Sequence, residues 1–168
     1  MSWNDDLEKA FNTQITLEFA SSYRYLALAG WLESAGFPGM ATWMRIQSDE
    51  ERDHALRFYQ FVIDRDGAVS LGSIAAPDGD FSSPREVFDR ALAYEREVTA
   101  AINDLYGLVT DMRDFASFPL LDWFVKEQVE EEAAVQQIID DLERAGSEGA
   151  TLLMIDRELG ARTAGGAL

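Results

Sequence analysis

The segment "SDEERDHALRFY", residues 48–59, contains His54, the only histidine of the chain, three residues after Glu51. Residues three or four apart lie on the same face of an α-helix. Glu51 and His54 therefore share a face with Phe58, and an apolar helical face packs against a core. The segment predicts a helix that directs a carboxylate and an imidazole into the interior of the protein.

The composition limits the class of protein. The chain has 168 residues, a formal net charge of −17 and no cysteine, which excludes a disulfide scaffold, a zinc ribbon and a thiol nucleophile. Such an acidic surface repels nucleic acid and anionic lipid and attracts cations. The first residues lack the pattern of a secretory signal, and the longest apolar run, residues 25–32, is too short to span a membrane. We expect a cytoplasmic protein with neither nucleic acid nor membrane as a partner.

Sparse proline and glycine residues divide the chain into four long predicted helices and one short one. The predicted helices cover about residues 5–34, 38–66, 84–113, 117–144 and 149–159. Ser83, Pro84 and Glu86 are typical of the start of the third helix, as the N-cap, first-turn and capping-box residues. We expect residues 160–168 to form a flexible tail.

The linkers predict the topology. Short linkers follow the first and third helices, so each of these helices should lie antiparallel to the next. Residues 67–83 form a long linker that, at roughly 3.3 Å per extended residue, can cross the length of the bundle and leave the second and third helices parallel. The predicted fold class is all-α: a single domain, residues 1–168, built as a four-helix bundle with one long crossover and a short fifth helix.

All four long helices carry acidic residues in the middle of their apolar stripes. These residues are Glu18, Glu51, Glu95 and Glu131 on successive helices, with Glu127 or Gln128 also on the fourth stripe. A buried ionised carboxylate is costly unless it is compensated, and Arg24, Arg45 and Arg52, the basic residues near this level, fall off the stripes. Oxygen ligands with one imidazole suit iron or manganese better than zinc or copper. One such acid is often only a boundary residue, but four in register predict a metal site.

The chain resembles the non-haem bacterial ferritins over residues 7–159. The resembling segments are "TLEFASSYRYL" (16–26), "DEERDHA" (49–55), "YERE" (94–97), "WFVKEQVEEE" (123–132) and "LLMIDREL" (152–159). The resemblance implies a ferritin-like bundle that oxidises Fe²⁺ with O₂ or H₂O₂ at a di-iron centre. It also implies storage of the product as a ferric mineral inside a homo-oligomeric shell of twenty-four subunits, with the fifth helix at the four-fold axes.

The resemblance further implies two groups of di-iron ligands. The first iron would be held by Glu18, Glu51 and His54. The second iron would share Glu51 and would be held by Glu95 and Glu131, with Gln128 beside it.

A third iron site beside the pair is also implied by the resemblance, with Glu50, Glu127 and Glu130 as its ligands. Tyr25 matches a tyrosine that packs against the centre and donates an electron or a hydrogen bond. Trp123 is similarly placed, although an ordinary core aromatic is an equally good interpretation of that residue.

The sequence departs from related families at positions that bear on haem binding and on the route of iron entry. Haem is not expected, because the fourth helix carries Gln128 and Glu131 instead of a second Glu-x-x-His motif, and Arg52 replaces the methionine of the haem-binding proteins. Leu121 falls where animal ferritins have an acid that lines the three-fold channel. We therefore do not expect iron to reach the interior by that route.

Two other classes of protein remain open on the sequence alone. A di-metal oxidase or peroxidase that stores no iron would use the same ligands, but it would need a substrate pocket and no shell. A purely structural acidic bundle that binds a partner protein would leave the buried acids unexplained.

Overall fold

The computed structural model describes residues 3–163, and this part of the chain is helical without strands. The helices are α1 (Asp5–Ser34), α2 (Pro38–Asp64), α3 (Pro84–Asp111), α4 (Phe118–Ala145) and α5 (Gly149–Leu159). The predicted all-α class with a short fifth helix is confirmed. A 3-10 turn, Phe115–Ser117, precedes α4.

Two helices end two residues before the predicted positions, α2 at Asp64 and α3 at Asp111. The reason is the same in both cases, since the backbone turns into the left-handed region at Asp66, with φ 58°, and at Arg113, with φ 53°. Left-handed backbone terminates a helix even where the residue is not glycine.

The ends of α2 and α3 establish that these helices run parallel. Near their starts, the rings of Trp43 and Phe88 have centroids 5.6 Å apart. Near their ends, Arg65 donates to Asp114 at 2.7 Å. The long crossover follows α1, where the Asn12 side chain donates to the carbonyl oxygen of Ala68 at 2.9 Å. The predicted crossover is confirmed.

The apolar core consists of two separate clusters, one toward each end of the bundle. One cluster includes Tyr25 and Trp43. The other includes the stacked rings of Phe58 and Phe124, whose centroids are 4.1 Å apart. Leu121 also belongs to this second cluster and is fully buried within the subunit. The expectation that iron does not enter by an acid-lined route at this position stays a prediction.

Helix α5 is anchored to the first turn of α2. The carboxylate of Asp156, which is buried, accepts a hydrogen bond from the backbone N–H of Met40 at 2.8 Å. The first turn of a helix has free N–H groups and a partial positive charge, so an acidic side chain stabilises it. Gly39 allows the two backbones to approach closely at this point.

The described residues after α5 contact α2. Arg162 donates to Gln47 at 3.0 Å and to Glu50 at 2.6 Å. The prediction of a flexible tail therefore does not hold for Arg162, and residues 164–168 lie outside the described part of the chain. None of the described helices is both long enough and apolar enough to cross a membrane.

We expect Gly39→Ala to loosen α5, because a Cβ atom at this position would lie 1.7 Å from the carbonyl oxygen of Asp156. Overpacking of this kind costs about 1–3 kcal/mol. Denaturant unfolding should show this loss, and backbone amides of α5 should exchange hydrogen faster. The matched control is Gly30→Ala within α1, where no atom lies within 4 Å of the added Cβ. That variant should be neutral or more stable, and unchanged exchange of α5 in Gly39→Ala would contradict the docking argument.

Candidate metal centre

Four glutamates from four helices meet between the two apolar clusters. Glu18 of α1, Glu51 of α2, Glu95 of α3 and Glu131 of α4 are buried, the first three completely. His54 is 4% exposed and lies one turn after Glu51. The sequence-predicted layer of inward-facing acids is thus present, with the only imidazole of the chain beside it.

Two sets of side chains in the described part of the chain could each hold a metal ion. Glu18, Glu51 and His54 each offer a ligand atom within 4.8 Å of the others, and all three residues are buried. His54, Glu127 and Glu131 form a second set by the same measure. His54 belongs to both sets, so the imidazole lies between two groups of carboxylates.

Several ligand atoms in this layer have no hydrogen-bond partner although they are buried. These atoms are Glu18 Oε2, Glu51 Oε2, His54 Nδ1 and Gln128 Oε1. Buried polar atoms in proteins are almost always paired, and an unpaired one is costly. Carboxylate oxygens, an amide oxygen and a ring nitrogen are all metal ligands, and a cation held by Glu18, Glu51 and His54 would supply a partner to that part of the set.

Two glutamines orient the carboxylates. The side chain of Gln14 donates to Glu18 at 2.7 Å, and that of Gln47 donates to Glu131 at 2.6 Å. Groups that hydrogen-bond a ligand fix its position and tune its affinity for metal. Sequence reasoning did not assign these glutamines a role. The spacing could have indicated that role, because each glutamine lies one helical turn before a glutamate on the same face: Gln14 before Glu18, and Gln47 before Glu51.

Glu95 has donors on both carboxylate oxygens. The Tyr25 hydroxyl donates to Oε1 in a short hydrogen bond, and Gln128 Nε2 donates to Oε2 at 3.1 Å. The predicted position of Tyr25 against the acid layer agrees with this geometry. Gln128, and not Glu127, is the buried residue at this level of α4, which resolves the alternative that the sequence left open.

Burial controls the protonation of the layer. It raises the pKa of Glu18 well above its ordinary value, and the charge of Glu51 raises it further. Burial, followed by the charges of Glu95 and Glu131, likewise raises the pKa of Glu51. The pKa of Glu95 rises to about 7 through burial, despite the hydrogen bond from Tyr25, and burial with the Glu95 charge raises that of Glu131 to about 8. Without a cation, several of these acids hold a proton at neutral pH.

Aromatic rings restrict the histidine. The edges of Trp123 and Phe124 pack against the His54 ring, with centroid distances of 5.4 Å and 5.5 Å. The Arg57 guanidinium lies over the Trp123 ring, 4.0 Å from its centroid. Trp123 therefore helps to hold the imidazole in place and is more than a distant core aromatic.

The three residues expected at a third iron site are not gathered into one ligand set in residues 3–163. Glu127 lies with His54 and Glu131. Glu50 is half-buried and pairs with Arg162, and Glu130 is exposed and lies 3.5 Å from Lys126.

The three arginines that the sequence places near the acid layer form ion pairs with acids outside the layer, and one further arginine contacts residues beside it. Arg24 pairs with Glu97, Arg45 with Glu33, and Arg52 with Asp53, as their positions off the apolar stripes suggested. This further arginine is Arg162, which sequence reasoning missed because it lies more than 110 residues along the chain from Glu50.

Comparison with known proteins identifies the family. The ferritin-like domain family matches residues 8–145. The chain therefore belongs to the ferritin-like domain family, and the resemblance inferred from the sequence motifs is confirmed.

Individual relatives match over nearly the whole chain. The bacterial non-heme ferritin of Staphylococcus saprophyticus is 36% identical over 160 residues, covering 95% of this chain and 96% of that protein. The one of Bacteroides fragilis is 37% identical over 159 residues, covering 95% and 99%. Among solved structures, an open pore ferritin from the archaeon Archaeoglobus fulgidus is 36% identical with a TM-score of 0.94, covering 96% of this chain and 99% of that one.

We expect the stability of the metal-free protein to fall as the pH rises from about 5 to about 8. In this range Glu131, with a pKa of about 8, is protonated in the folded state but ionised in the unfolded chain. The folded state then binds more protons, so the free energy of unfolding decreases with rising pH. Thermal midpoints measured across this range without metal would test the expectation.

The control for this experiment is a pair of variants. Glu131→Gln removes the titrating group and should flatten the decline, whereas Glu130→Gln removes an exposed neighbouring carboxylate and should leave it in place. A wild-type midpoint that rises with pH would contradict the assigned protonation of the layer.

Proposed function

We propose that this protein is an iron-storing ferroxidase. It oxidises Fe²⁺ to Fe³⁺ with O₂ or H₂O₂ at an intrasubunit di-iron centre and stores the product as ferric oxyhydroxide mineral inside a hollow shell. The observation that carries this proposal is the buried carboxylate layer, whose unpaired ligand atoms belong to Glu18, Glu51, His54 and Gln128. Membership of the ferritin-like family supports it independently.

The proposed ligands divide the layer between two iron ions. Glu18, Glu51 and His54 hold the first, in line with the distance of at most 4.8 Å between their ligand atoms. Glu95 and Glu131 hold the second, with Gln128 beside it, and Glu51 bridges the pair. The bridging role is supported by the position of Glu51 beside both groups: it belongs to the first ligand set, and the Gln47 nitrogen that donates to Glu131 at 2.6 Å also reaches Glu51 at 3.5 Å.

The proposed chemistry transfers one electron from each of two substrate Fe²⁺ ions. With O₂ as the oxidant, the two electrons and two protons give H₂O₂; with H₂O₂ as the oxidant, they give two molecules of water. Carboxylate oxygens bind the borderline ferrous ion as well as the harder ferric ion, and the ferric ion hydrolyses readily to oxyhydroxide. Acids of the layer that are protonated without metal lose those protons when Fe²⁺ binds.

A third iron site formed by Glu50, Glu127 and Glu130 is part of the proposal. Its support is the sequence pattern together with the half-buried position of Glu50 and Glu127 at the edge of the layer. Since Arg162 is paired with Oε2 of Glu50, iron at Glu50 must compete with the guanidinium.

Storage requires an enclosed volume, which one helical bundle does not supply. We propose a homo-oligomeric shell of twenty-four subunits in the cytoplasm, consistent with the near full-length match to ferritins and with a chain that has no cysteine. Exposed apolar residues on the last part of the chain support subunit contacts, among them Phe115, Val129 and Met154. The net charge of −17 would attract Fe²⁺ to such a shell.

The proposal is tested by adding many equivalents of Fe²⁺ per subunit to the metal-free protein in air. Wild type should oxidise iron quickly and elute from a sizing column as a large species carrying far more iron than its sites can hold. In the Glu51→Ala, His54→Ala double variant the rate of iron oxidation should fall at least about tenfold. Loss of a residue that only hydrogen-bonds a metal ligand already lowers metal affinity or activity by about that factor. Asp53→Ala, an exposed acid on the same turn, is the control and should match wild type.

A different result would favour another class of protein. If wild type oxidises iron but retains only a few ions per subunit in a small species, the storage proposal fails and a di-metal oxidase or peroxidase takes its place. If wild type binds no iron, the structural acidic bundle becomes the better interpretation.

Tyr25 is proposed as a catalytic residue through its hydroxyl, either as a hydrogen-bond donor to Glu95 or as an electron donor. Tyr25→Phe keeps the ring in the core but removes the short hydrogen bond to Glu95. We expect oxidation to slow several-fold while the number of Fe²⁺ ions bound without oxygen stays the same. A transient tyrosyl radical signal in the wild type alone would favour electron donation, and an unchanged rate would exclude Tyr25 from catalysis.

A further inference from the structure

Arg162 lies three residues beyond the end of α5, next to one stripe of α2. The stripe consists of Trp43, Gln47 and Glu50, which follow one another at intervals of four and three residues and so share one face of the helix. The guanidinium lies 4.7 Å from the centroid of the Trp43 ring, donates to Gln47 Oε1 at 3.0 Å and donates to Glu50 Oε2 at 2.6 Å. Its side chain is 11% exposed, so the charge is largely withdrawn from water.

We infer that Arg162 is a positioning residue of the metal centre: it fixes the amide of Gln47 toward Glu131 and withholds Glu50 from cations. This inference rests on the proposed function, because it assigns a control of metal binding to a residue that touches no ligand of the di-iron pair.

Arg162 determines the orientation of the Gln47 amide. A guanidinium group can only donate hydrogen bonds, so Gln47 must turn its oxygen toward Arg162. The nitrogen of the same amide then points into the layer, where it donates to Glu131 at 2.6 Å and reaches Glu51 at 3.5 Å. Without Arg162, the amide is free to flip and present an oxygen to Glu131. The arginine therefore determines whether Glu131 receives a donor at that oxygen.

Arg162 also competes with cations for the Glu50 carboxylate. The ion pair between Arg162 and Glu50 is half-buried, with Glu50 25% exposed, so it is screened less than a surface pair. A divalent cation at Glu50 must either compete with the guanidinium for Oε2 or bind beside its positive charge, and both arrangements push the guanidinium away. The same displacement weakens the hold of Arg162 on Gln47, so a cation at Glu50 and the orientation of Glu131 are linked.

A role limited to anchoring the end of the chain is less consistent with the contacts. Helix α5 is already held by the buried hydrogen bond from Met40 to Asp156 and by the buried side chain of Leu159. Arg162 adds contacts to the one part of α2 that leads into the acid layer. Its position over Trp43 limits the guanidinium to a small region between Gln47 and Glu50.

The test is anaerobic titration of the metal-free full-length protein with Co²⁺, followed by calorimetry and by the visible spectrum of the bound ion. Wild type should bind two ions tightly per subunit. Arg162→Ala should bind a third ion at least about tenfold more tightly than wild type does, which corresponds to about 1.4 kcal/mol. The spectrum of the two tight ions should also change, because Gln47 loses its fixed orientation.

Three further variants separate the two parts of the inference. Arg162→Lys keeps the charge but loses the fork of donors, so it should still suppress the third ion while altering the spectrum. Arg162→Ala combined with Glu50→Gln should lose the gain in the third ion. Arg157→Ala removes an equal charge from the exposed face of α5 and should behave as wild type.

The outcomes are distinguishable. If Arg162→Ala binds two ions with the affinity and spectrum of wild type, the inference is overturned while the di-iron centre stands. If wild type itself binds no Co²⁺ tightly, the proposed function fails and the inference fails with it. If Arg162→Ala elutes at a size different from that of wild type, the test is made with Arg162→Lys, provided that this variant elutes at the wild-type size. An altered Co²⁺ spectrum of Arg162→Lys then supports the inference, and an unchanged one overturns it.

Discussion

Four carboxylates buried in one layer are the constraint on which the rest of this structure depends. Water stabilises an ionised carboxylate strongly, and its removal raises the pKa of Glu95 to about 7 and that of Glu131 to about 8. An apolar residue at each position would make a more stable bundle. The layer also divides the apolar core into two clusters that do not join. The fold therefore retains a costly feature at its centre, which is typical of a binding site.

The surrounding structure limits this cost without removing it. Gln14, Gln47 and Tyr25 each donate a hydrogen bond to a different carboxylate of the layer. These donors satisfy one oxygen of Glu18 and leave its Oε2 unpaired, and the Oε2 of Glu51 is likewise unpaired. The donors thus orient the acids while they leave open the atoms that a cation would bind. Aromatic packing at both ends of the bundle supplies the stability that the middle layer lacks.

The sequence predicted most of this arrangement because helical periodicity is local. The spacing of Glu51, His54 and Phe58 fixes which face of α2 turns inward, and the same rule found the acids of the other three helices. Helix ends were less predictable. The sequence suggested that α2 ends just before Gly67, whereas it ends at Asp64 because the backbone is already left-handed at Asp66.

The contacts of the C-terminal segment could not be predicted from periodicity, since they join positions more than 110 residues apart. The charges of the two side chains that make these contacts are nevertheless consistent with simple electrostatics. Asp156 places a carboxylate at the start of α2, where free N–H groups favour an anion. Arg162 places a guanidinium about three turns further along, where Glu50 and the acid layer favour a cation. The segment after α4 therefore holds α2 at two points of opposite charge, and the second point is connected to Glu131 through a single glutamine.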